Sequence, residues 1–433
     1  MSEDRSASPL RIAVFGAGSI GCRLGGALST VAEVTLIGRP AAMAELDRAG
    51  LTLTGPGTRR LHARPHTAVN ASAAAGADYV LVTVKSADTA EAARQLAPHL
   101  DEHTTVISFQ NGLHNARLLA EALPGHRVLA GMVPYNVVRT GPNAFHQGTD
   151  GRLTLARTPT TARPGTTPPP TAERFAATNR PPAASHTPAP EQAEPTDEAS
   201  AVPATQPPAG HSPTPAEQFA VTEQPPAPAP SPSTDQPPAG HSPTPAEHTD
   251  AAQQFAATAL AAGLPAELRD DMPQVQAAKL LINLNNAVNA LSGLPLREQL
   301  GGRPYRLVLA RCQREGLAAL RAAGLTPARL GPVPARWMPA VLALPDSLFR
   351  RLAAASLRVD AQARSSMWED LQRGRRTEVD ELQGEVLALA ARHGLAAPAN
   401  RRLLELVREA ESAPTPPSWS GPELLATLDA PAR

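Results

Sequence analysis

A glycine-rich turn between two apolar stretches near the start of the chain limits the possible folds more than any other part of the sequence. Residues 12–15 are typical of a buried β-strand and end in the run GAGSIG at residues 16–21. A helical pattern follows, and a second apolar strand covers residues 34–37. Strand, glycine turn, helix and strand is the arrangement in which a G-x-G-x-x-G run binds a dinucleotide. The alternative is a tight strand-to-helix turn with no ligand.

The positions of this turn have distinct physical roles in the predicted site. Gly16 allows the tight turn out of the strand, Gly18 lets the backbone approach a pyrophosphate, and Gly21 lets the helix pack closely. The N-terminus of the helix then offers free N–H groups and a partial positive charge to the phosphates. We therefore expect the cofactor-binding turn to comprise Gly16, Ala17, Gly18, Ser19, Ile20 and Gly21.

The end of the second predicted strand bears on which dinucleotide is bound. An NAD site usually carries Asp or Glu about 20 residues after the glycines, where it bonds the ribose hydroxyls. This chain instead has Ile37-Gly38-Arg39, and a guanidinium can hold a 2′-phosphate through paired donors. Arg39 therefore favours NADP(H). The alternative is an arginine that simply points into solvent.

Lysine is rare in this chain, because Lys85 and Lys279 are the only two among 433 residues and arginine supplies every other basic side chain except histidine. An amine can donate a proton or act as a compact point charge, which suits it to roles that a guanidinium cannot fill. Lys85 follows one buried strand and Asn111 follows the next. Both should lie at the carboxyl edge of the sheet, where open α/β sheets bind ligands. For Asn111-Gly112 the alternative is a plain turn.

A helix predicted over residues 274–292 carries Lys279, Asn283 and Asn286 on one face, at positions i, i+4 and i+7. Asparagine is unfavourable inside helices, and such a row facing a core is costly unless it meets a polar ligand. The pattern indicates a ligand-facing surface. A polar stripe that faces solvent is the alternative.

Composition changes sharply in the middle of the chain. About half of the 47 prolines fall within residues 158–250, and the phrase QPPAGHSPTPAE occurs twice there. Such a segment has too few aliphatic side chains to offset the entropy of ordering, so we predict disorder. We expect an α/β fold, with an N-terminal Rossmann-type domain, this insert and an all-α C-terminal domain. The expected boundaries are 10–157 for the NADP-binding domain, 158–250 for the insert, 251–270 for a closing helix and linker, 271–412 for the helical substrate domain and 413–433 for a Pro-rich tail.

Charge and cysteine content exclude several classes of function. Basic and acidic residues balance at 40 each, so no overall field draws the chain to nucleic acid. No run of about 18 apolar residues occurs, so we expect no membrane span. The first ten residues lack the apolar core of a signal peptide, and two cysteines are too few for a disulfide framework. We expect a cytoplasmic protein without a metal site, with a homodimer as one candidate assembly.

Five motifs resemble the ketopantoate reductase (2-dehydropantoate 2-reductase) family, and both lysines fall within them. The resemblance covers residues 11–411 apart from the insert and rests on GAGSIG, Val84-Lys85-Ser86, Gln110-Asn111-Gly112, Lys279-Leu-Leu-Ile-Asn283, and Ser366-Met367 through Thr377-Glu378-Val379-Asp380. It implies an NADPH-dependent oxidoreductase that reduces the ketone of a small 2-oxo acid, 2-dehydropantoate first among them, in pantothenate and coenzyme A biosynthesis. The implied roles are a general acid at Lys279, substrate-orienting asparagines at Asn283 and Asn286, a carboxylate contact at Ser366, a distal hydroxyl contact at Glu378, and a cleft lined by Lys85 and Asn111.

Two departures from the family pattern bear on the substrate. The usual second asparagine, eight residues after the lysine, is Ala287 here, and Asn286 stands one position earlier. Gln383-Gly384 replaces a frequent Asn-Gly. The reductase chemistry is kept, whereas another 2-oxo acid or ketone remains an alternative substrate. A third hypothesis is a non-catalytic NADP-binding protein whose Pro-rich insert binds a partner. Retention of Lys279 and Glu378 speaks against that hypothesis.

Overall fold

A computed structural model describes residues 9–56, 58–161, 245–353 and 363–429. Most of the predicted insert therefore lies outside the described residues, and its last residues begin a helix at Pro245. Among the described residues, no helix combines the length and apolar character that crossing a bilayer requires.

The N-terminal domain is built on an eight-stranded sheet. Its strands are β1 Arg11–Phe15, β2 Glu33–Ile37, β5 His66–Ala68, β6 Tyr79–Val82, β7 Thr105–Ser108, β8 Arg127–Met132, β11 Leu153–Ala156 and β12 Ala266–Arg269. Their order is β12-β11-β8-β7-β6-β1-β2-β5, and β1 lies between β2 and β6 with Ile12 opposite both Val34 and Tyr79. The six strands from β8 to β5 are parallel, and β11 runs antiparallel to β8. The predicted Rossmann-type fold is confirmed.

Helices cover both faces of this sheet. They are α1 Ser19–Leu28, α2 Pro40–Ala49, α3 Thr89–Leu96, α4 Asn115–Ala122 and α5 Pro245–Ala261. Alternate residues of β1 enter different cores, because successive side chains of a strand point to opposite faces. Ile12 packs in the cluster that contains Leu24 of α1 and Phe255 of α5, whereas Ala13 joins Leu119 of α4 in the other.

A second, four-stranded sheet lies against α1. It comprises β3 Leu51–Gly55, β4 Thr58–Ala63, β9 Val137–Arg139 and β10 Ala144–Gln147, in the order β4-β3-β10-β9. Gly26 of α1 allows the close packing, since a Cβ there would lie 2.9 Å from Cδ1 of Leu53. Strands β8 and β9 are only four residues apart in the chain but lie in different sheets. Strand β12 arises from the segment expected to be a linker.

The C-terminal domain is helical, as predicted. Its helices are α6 Met272–Asn283, α7 Asn285–Ser292, α8 Leu296–Gly301, α9 Arg303–Ala322, α10 Met338–Leu342, α11 Asp346–Ala353, α12 Ser366–Gln372, α13 Val379–Arg392, α14 Pro398–Ser412 and α15 Gly421–Thr427. The single helix expected over residues 274–292 divides at Leu284. Near the division, Gln383 Nε2 donates to the Leu284 carbonyl (3.0 Å) and Gln313 Nε2 to the Leu281 carbonyl (3.1 Å).

The segment after residue 412 packs on the helical domain. Tyr305 Oη donates to the Trp419 carbonyl (2.8 Å), and Trp419 N donates to the Leu291 carbonyl (2.8 Å). Ser420 and Glu423 cap α15 reciprocally, and Leu424 is fully buried in the core. This segment is short and rich in proline, yet it contributes apolar contacts to the core of the helical domain.

Candidate active site

The glycine turn leaves β1 in a conformation that favours glycine. Gly16 has φ of 114°, and a Cβ there would lie 2.6 Å from the backbone N of Val84. A Cβ at Gly21 would lie 2.2 Å from the Gly16 carbonyl oxygen, whereas one at Gly18 would meet nothing within 4 Å. Gly16 and Gly21 therefore serve close packing, and Gly18 faces free space at the start of α1.

A cavity of about 770 Å³ opens beside this turn. Gly16, Ala17, Gly18 and Ser19 line it together with Arg39, Lys85 and Glu378, whereas Ile20 and Gly21 do not. The volume falls in the range of small-molecule and cofactor sites. The open space at Gly18 and the free N–H groups of α1 make this cavity fit a dinucleotide pyrophosphate.

A chain of hydrogen bonds joins the two domains at the carboxyl edge of the sheet. Asn283 Nδ2 donates to Asn111 Oδ1 (3.1 Å), and Asn111 Nδ2 donates to Glu378 Oε2 (2.9 Å). Ser86 Oγ donates to the Asn111 carbonyl (2.7 Å) and holds the loop after β7. Asn111, Asn283 and Glu378, which are far apart in sequence, therefore meet at one place. Ser86 belongs to the motif Val84-Lys85-Ser86, but its spacing along the chain does not predict this contact.

Lys279 lies one helical turn before Asn283 on α6. Its side chain is half-buried, and Nζ lies 3.5 Å from the carbonyl oxygen of Pro134, just after β8. No carboxylate pairs with this amine among the described residues, and burial lowers its pKa to about 8. Lys279 does not line the large cavity. Its neighbour Asn283 is connected to the cavity wall through Asn111 and Glu378.

Lys85, in contrast, is held by an ion pair. Its Nζ lies 2.8 Å from Asp370 Oδ2 and also donates to the carbonyl of Arg376, so it bridges the two domains. Burial raises the pKa of Asp370, and the amine of Lys85 opposes that shift. The two lysines thus lie in different environments. Lys85 lines the cavity and forms an ion pair, whereas Lys279 lies outside the cavity lining and has no carboxylate partner among the described residues.

The two adjacent serines at the start of α12 lie in different environments. Ser365 is buried, accepts a bond from Trp368 N (3.1 Å) and donates to the Asn286 carbonyl (3.2 Å). Ser366 is exposed, and the side chain of Asn286 is half-buried. Asn289, fully buried, accepts from Ser365 N (2.8 Å) and completes this junction. The structural contacts of Ser365 and Asn289 depend on packing that sequence spacing does not show.

Glu381 is a second carboxyl group on the cavity wall, one turn after Glu378. Burial, reinforced by the nearby Glu378 carboxylate, raises the pKa of Glu381 to about 7. Its position follows from the helical spacing of i and i+3 at the start of α13.

Comparison with family models identifies both domains. Residues 12–160 match the model described as Ketopantoate reductase PanE/ApbA, and residues 271–411 match Ketopantoate reductase PanE/ApbA C terminal. The two matches together span about two thirds of the chain, the first in the N-terminal domain and the second in the helical domain. The chain belongs to the ketopantoate reductase family. This confirms the resemblance inferred from the five motifs.

Curated relatives of this ketopantoate reductase family protein match over part of their length. The 2-dehydropantoate 2-reductase of Halobacterium salinarum is 39% identical over 151 residues, which are 34% of this chain and 49% of that relative. The protein of the same name from Pyrococcus horikoshii is 31% identical over 134 residues, 31% of this chain and 42% of the relative. The chain thus aligns with about half the length of these relatives.

Solved structures match the fold over nearly the whole chain. A PanE/ApbA family ketopantoate reductase from Ralstonia eutropha JMP134 is 25% identical, with a TM-score of 0.61 over 93% of this chain and 98% of that one. A D-mandelate dehydrogenase solved with NADH and anilino(oxo)acetate is 16% identical, with a TM-score of 0.62 over the same shares. The second likeness shows the fold alone.

The two positions at which the chain departs from the family pattern, Ala287 and Gln383, both lie in the interior of the helical domain. Ala287 is fully buried in the helical core, so its side chain does not replace the polar function of an asparagine. Gln383 is also fully buried and donates to the Leu284 carbonyl at the division between α6 and α7. The ketopantoate reductase family pattern is therefore altered at two buried positions.

Proposed function

We propose that this protein catalyses the NADPH-dependent reduction of the ketone of a 2-oxo acid, with 2-dehydropantoate and its conversion to pantoate as the first candidate reaction. The observation that carries the proposal is the amine of Lys279. It is half-buried, lacks a carboxylate partner among the described residues and has its pKa lowered to about 8. Such an amine is suited to donate a proton near neutral pH. Family membership supports oxidoreductase chemistry.

The proton and the hydride have separate sources in this reaction. When bound, the reduced nicotinamide supplies a hydride to the keto carbon. The proposed role of Lys279 is to donate its Nζ proton to the keto oxygen, which becomes the hydroxyl of the product. Asn283, one turn away and bonded to Asn111, is proposed to orient that oxygen. A preorganised donor lowers the barrier because it meets charge that develops only in the transition state.

The remaining polar groups are proposed to bind the rest of the substrate. Glu378, which accepts from Asn111 at 2.9 Å, is proposed to accept from a distal hydroxyl. Ser366, exposed at the start of α12, is proposed to bond the substrate carboxylate, with Asn286 nearby. Lys85 is proposed to line the boundary between cofactor and substrate.

NADP(H) is the proposed form of the cofactor. Arg39 follows β2 directly, is exposed and lines the cavity, and the strand ends without a carboxylate. A guanidinium attracts a 2′-phosphate, whereas a carboxylate at this position repels it. The glycine turn and α1 are proposed to hold the pyrophosphate. Both cysteines are buried and unpaired, which agrees with the proposed cytoplasmic location. A homodimer is retained as the proposed assembly to be tested.

A different 2-oxo acid or ketone is the second candidate substrate. Ala287 places a methyl group in the core where the family pattern has an amide, and Gln383 is engaged by the Leu284 carbonyl. Ala287 removes a polar side chain from α7, and Gln383 contacts the backbone of the residue that follows Asn283.

A substrate panel scored by NADPH absorbance tests the proposal. Purified protein is expected to oxidise NADPH with 2-dehydropantoate and to show the highest kcat/KM with one member of a 2-oxo acid and ketone series. Preference for a different 2-oxo acid would select the second candidate. Absence of NADPH oxidation with every compound, from protein that still binds NADPH, would contradict the proposed reaction.

A further inference from the structure

Arginines from both domains gather around one part of the large cavity. Arg39 follows β2, Arg139 ends β9, and Arg373 and Arg375 lie between α12 and α13. All four line the cavity of about 770 Å³, and Arg139 with Arg373 also lines an adjoining cavity of about 320 Å³. This arginine cluster is formed by segments more than 300 residues apart in sequence, between residues 39 and 375.

The members of the arginine cluster differ in how their charges are paired. Arg373 Nη1 lies 3.3 Å from Glu369 Oε2. Arg139 donates to the carbonyls of Gly141 and Pro142, which leave its charge unneutralised. Arg39 and Arg375 have no side-chain hydrogen bond or ion pair with any described residue. Two guanidinium groups, one from each domain, are therefore available to an anion.

The electrostatic environment supports an anion site. Burial, together with the positive charges of Arg39, Arg373 and Arg139, lowers the pKa of Arg375. Asp370 opposes this effect, but its carboxylate is already 2.8 Å from Lys85 Nζ. Like charges brought together repel one another, and a bound dianion relieves that repulsion.

The chemistry of the anion follows from the geometry of the turn. The proposed pyrophosphate site is at Gly18 and the start of α1, and Arg39 follows the adjacent strand β2. In this arrangement the ribose of the adenosine half extends toward the end of β2. A phosphate on that ribose is the anion that Arg39 would meet. Guanidinium groups bind phosphates through two parallel N–H donors, so two arginines can share one phosphate group.

We propose that Arg375 of the helical domain is a second ligand of the cofactor 2′-phosphate, opposite Arg39, and that NADP specificity is therefore set from both domains. The inference rests on the proposed use of NADPH. It assigns a specificity role to a residue outside the dinucleotide-binding domain, in a loop that also presents Glu378 to the cavity.

Calorimetric titration of Arg375→Ala with NADPH and with NADH tests this role. Loss of one charge-assisted contact is expected to weaken NADPH binding roughly 10- to 100-fold, while the affinity for NADH changes less than about twofold because NADH lacks the 2′-phosphate. Adenosine 2′,5′-bisphosphate should follow NADPH, and adenosine 5′-monophosphate should follow NADH. Arg375→Lys should retain an intermediate affinity for NADPH, because an ammonium keeps the charge without the paired donors.

Matched variants separate phosphate recognition from general effects. Arg39→Ala should show the same selectivity for the phosphorylated ligands, and Arg401→Ala, an exposed arginine of α14 outside the cavity lining, should bind both nucleotides as the parent does. Equal weakening of NADPH and NADH by Arg375→Ala, or no weakening of either, would overturn the inference. If the parent protein binds neither nucleotide, the proposed function fails instead. Circular dichroism of each variant establishes that the fold is retained.

Discussion

Replacement of Lys279 by alanine is the most direct test of the proposed chemistry. The substitution removes the only amine on α6 and leaves the hydrogen bond between Asn283 and Asn111 in place. General acid catalysis typically contributes about 10²- to 10⁴-fold. We therefore expect kcat/KM for the reduction to fall by that factor, which corresponds to roughly 3–5 kcal/mol of transition-state stabilisation. NADPH affinity should be nearly unchanged, because Lys279 does not line the large cavity.

The pH dependence of kcat/KM provides a second, independent test of the role of Lys279. An amine acts as an acid only while protonated, and burial lowers the pKa of Lys279 from 10.5 to about 8. At pH 7 roughly 90% of the free enzyme should carry the proton, and each pH unit above 8 should reduce kcat/KM about tenfold. The kcat/KM profile reports groups of the free enzyme, so the decline should begin near pH 8. Lys279→Ala should lose that decline.

The assay follows NADPH absorbance at saturating cofactor, with NADPH binding measured separately. Ile282→Ala provides the control on the same helix, since Ile282 is 51% exposed and its loss should leave the rate unchanged. Lys279→Arg keeps a positive charge but donates poorly, so it should resemble the alanine variant. Added methylamine should restore part of the activity of Lys279→Ala. A variant that retains more than about a tenth of the parent rate, with the decline above pH 8 intact, would refute the reasoning.

Three further predictions concern the turn, the helix division and the second carboxyl group. Gly16→Ala should lower the unfolding free energy by about 2 kcal/mol or more, because its Cβ would lie 2.6 Å from Val84 N at a positive φ. Gly18→Ala should instead keep the Tm of the parent and weaken NADPH binding. Equal losses of Tm in the two variants would contradict this distinction. Gln383→Ala should cost about 1–3 kcal/mol in urea unfolding because it leaves the Leu284 carbonyl without its donor, whereas Gln372→Ala, at an exposed position, should cost little. For Glu381, folding raises the pKa from 4.5 to about 7. The native state therefore binds more protons, and stability should decline as pH rises between these values. Glu381→Gln should remove a decline of roughly 3 kcal/mol, and an identical pH dependence of Tm in both proteins would contradict it.

Several elements could be predicted from the sequence because their determinants are local. The run GAGSIG between apolar strands was enough for the Rossmann-type turn, since a positive φ and close backbone contacts require glycine at defined positions. The N-terminal α/β sheet and the helical domain followed from apolar periodicity. The rarity of lysine and the positions of Lys85 and Lys279 after a predicted strand and on a predicted helix distinguish these two residues in the sequence. The helical spacing of Lys279 and Asn283 survives in α6, although the helix was predicted to continue through Leu284.

Two features depend on tertiary packing: the division of the helix at Leu284, and the burial of Ser365 but not of Ser366. Gln383 supplies a donor to the Leu284 carbonyl from a helix about 100 residues later in the chain, and no local pattern specifies that partner. Likewise, Ser365 is buried where its backbone N–H donates to Asn289 Oδ1, whereas Ser366 is exposed. Adjacent identical residues cannot be distinguished by composition or periodicity.

The glycine turn and the classes of the two domains are local properties of the amino-acid sequence, because backbone sterics and apolar periodicity act over a few residues. The two rare amines are likewise evident from the sequence. Tertiary packing, in contrast, brings Asn111 to Glu378 and Asn283, and it places Arg39 and Arg375 on the wall of one cavity. These pairs come from segments separated by hundreds of residues or by different domains. Their meeting depends on how strand edges and helices pack, and on the burial that results, neither of which is encoded in the spacing of residues along the chain.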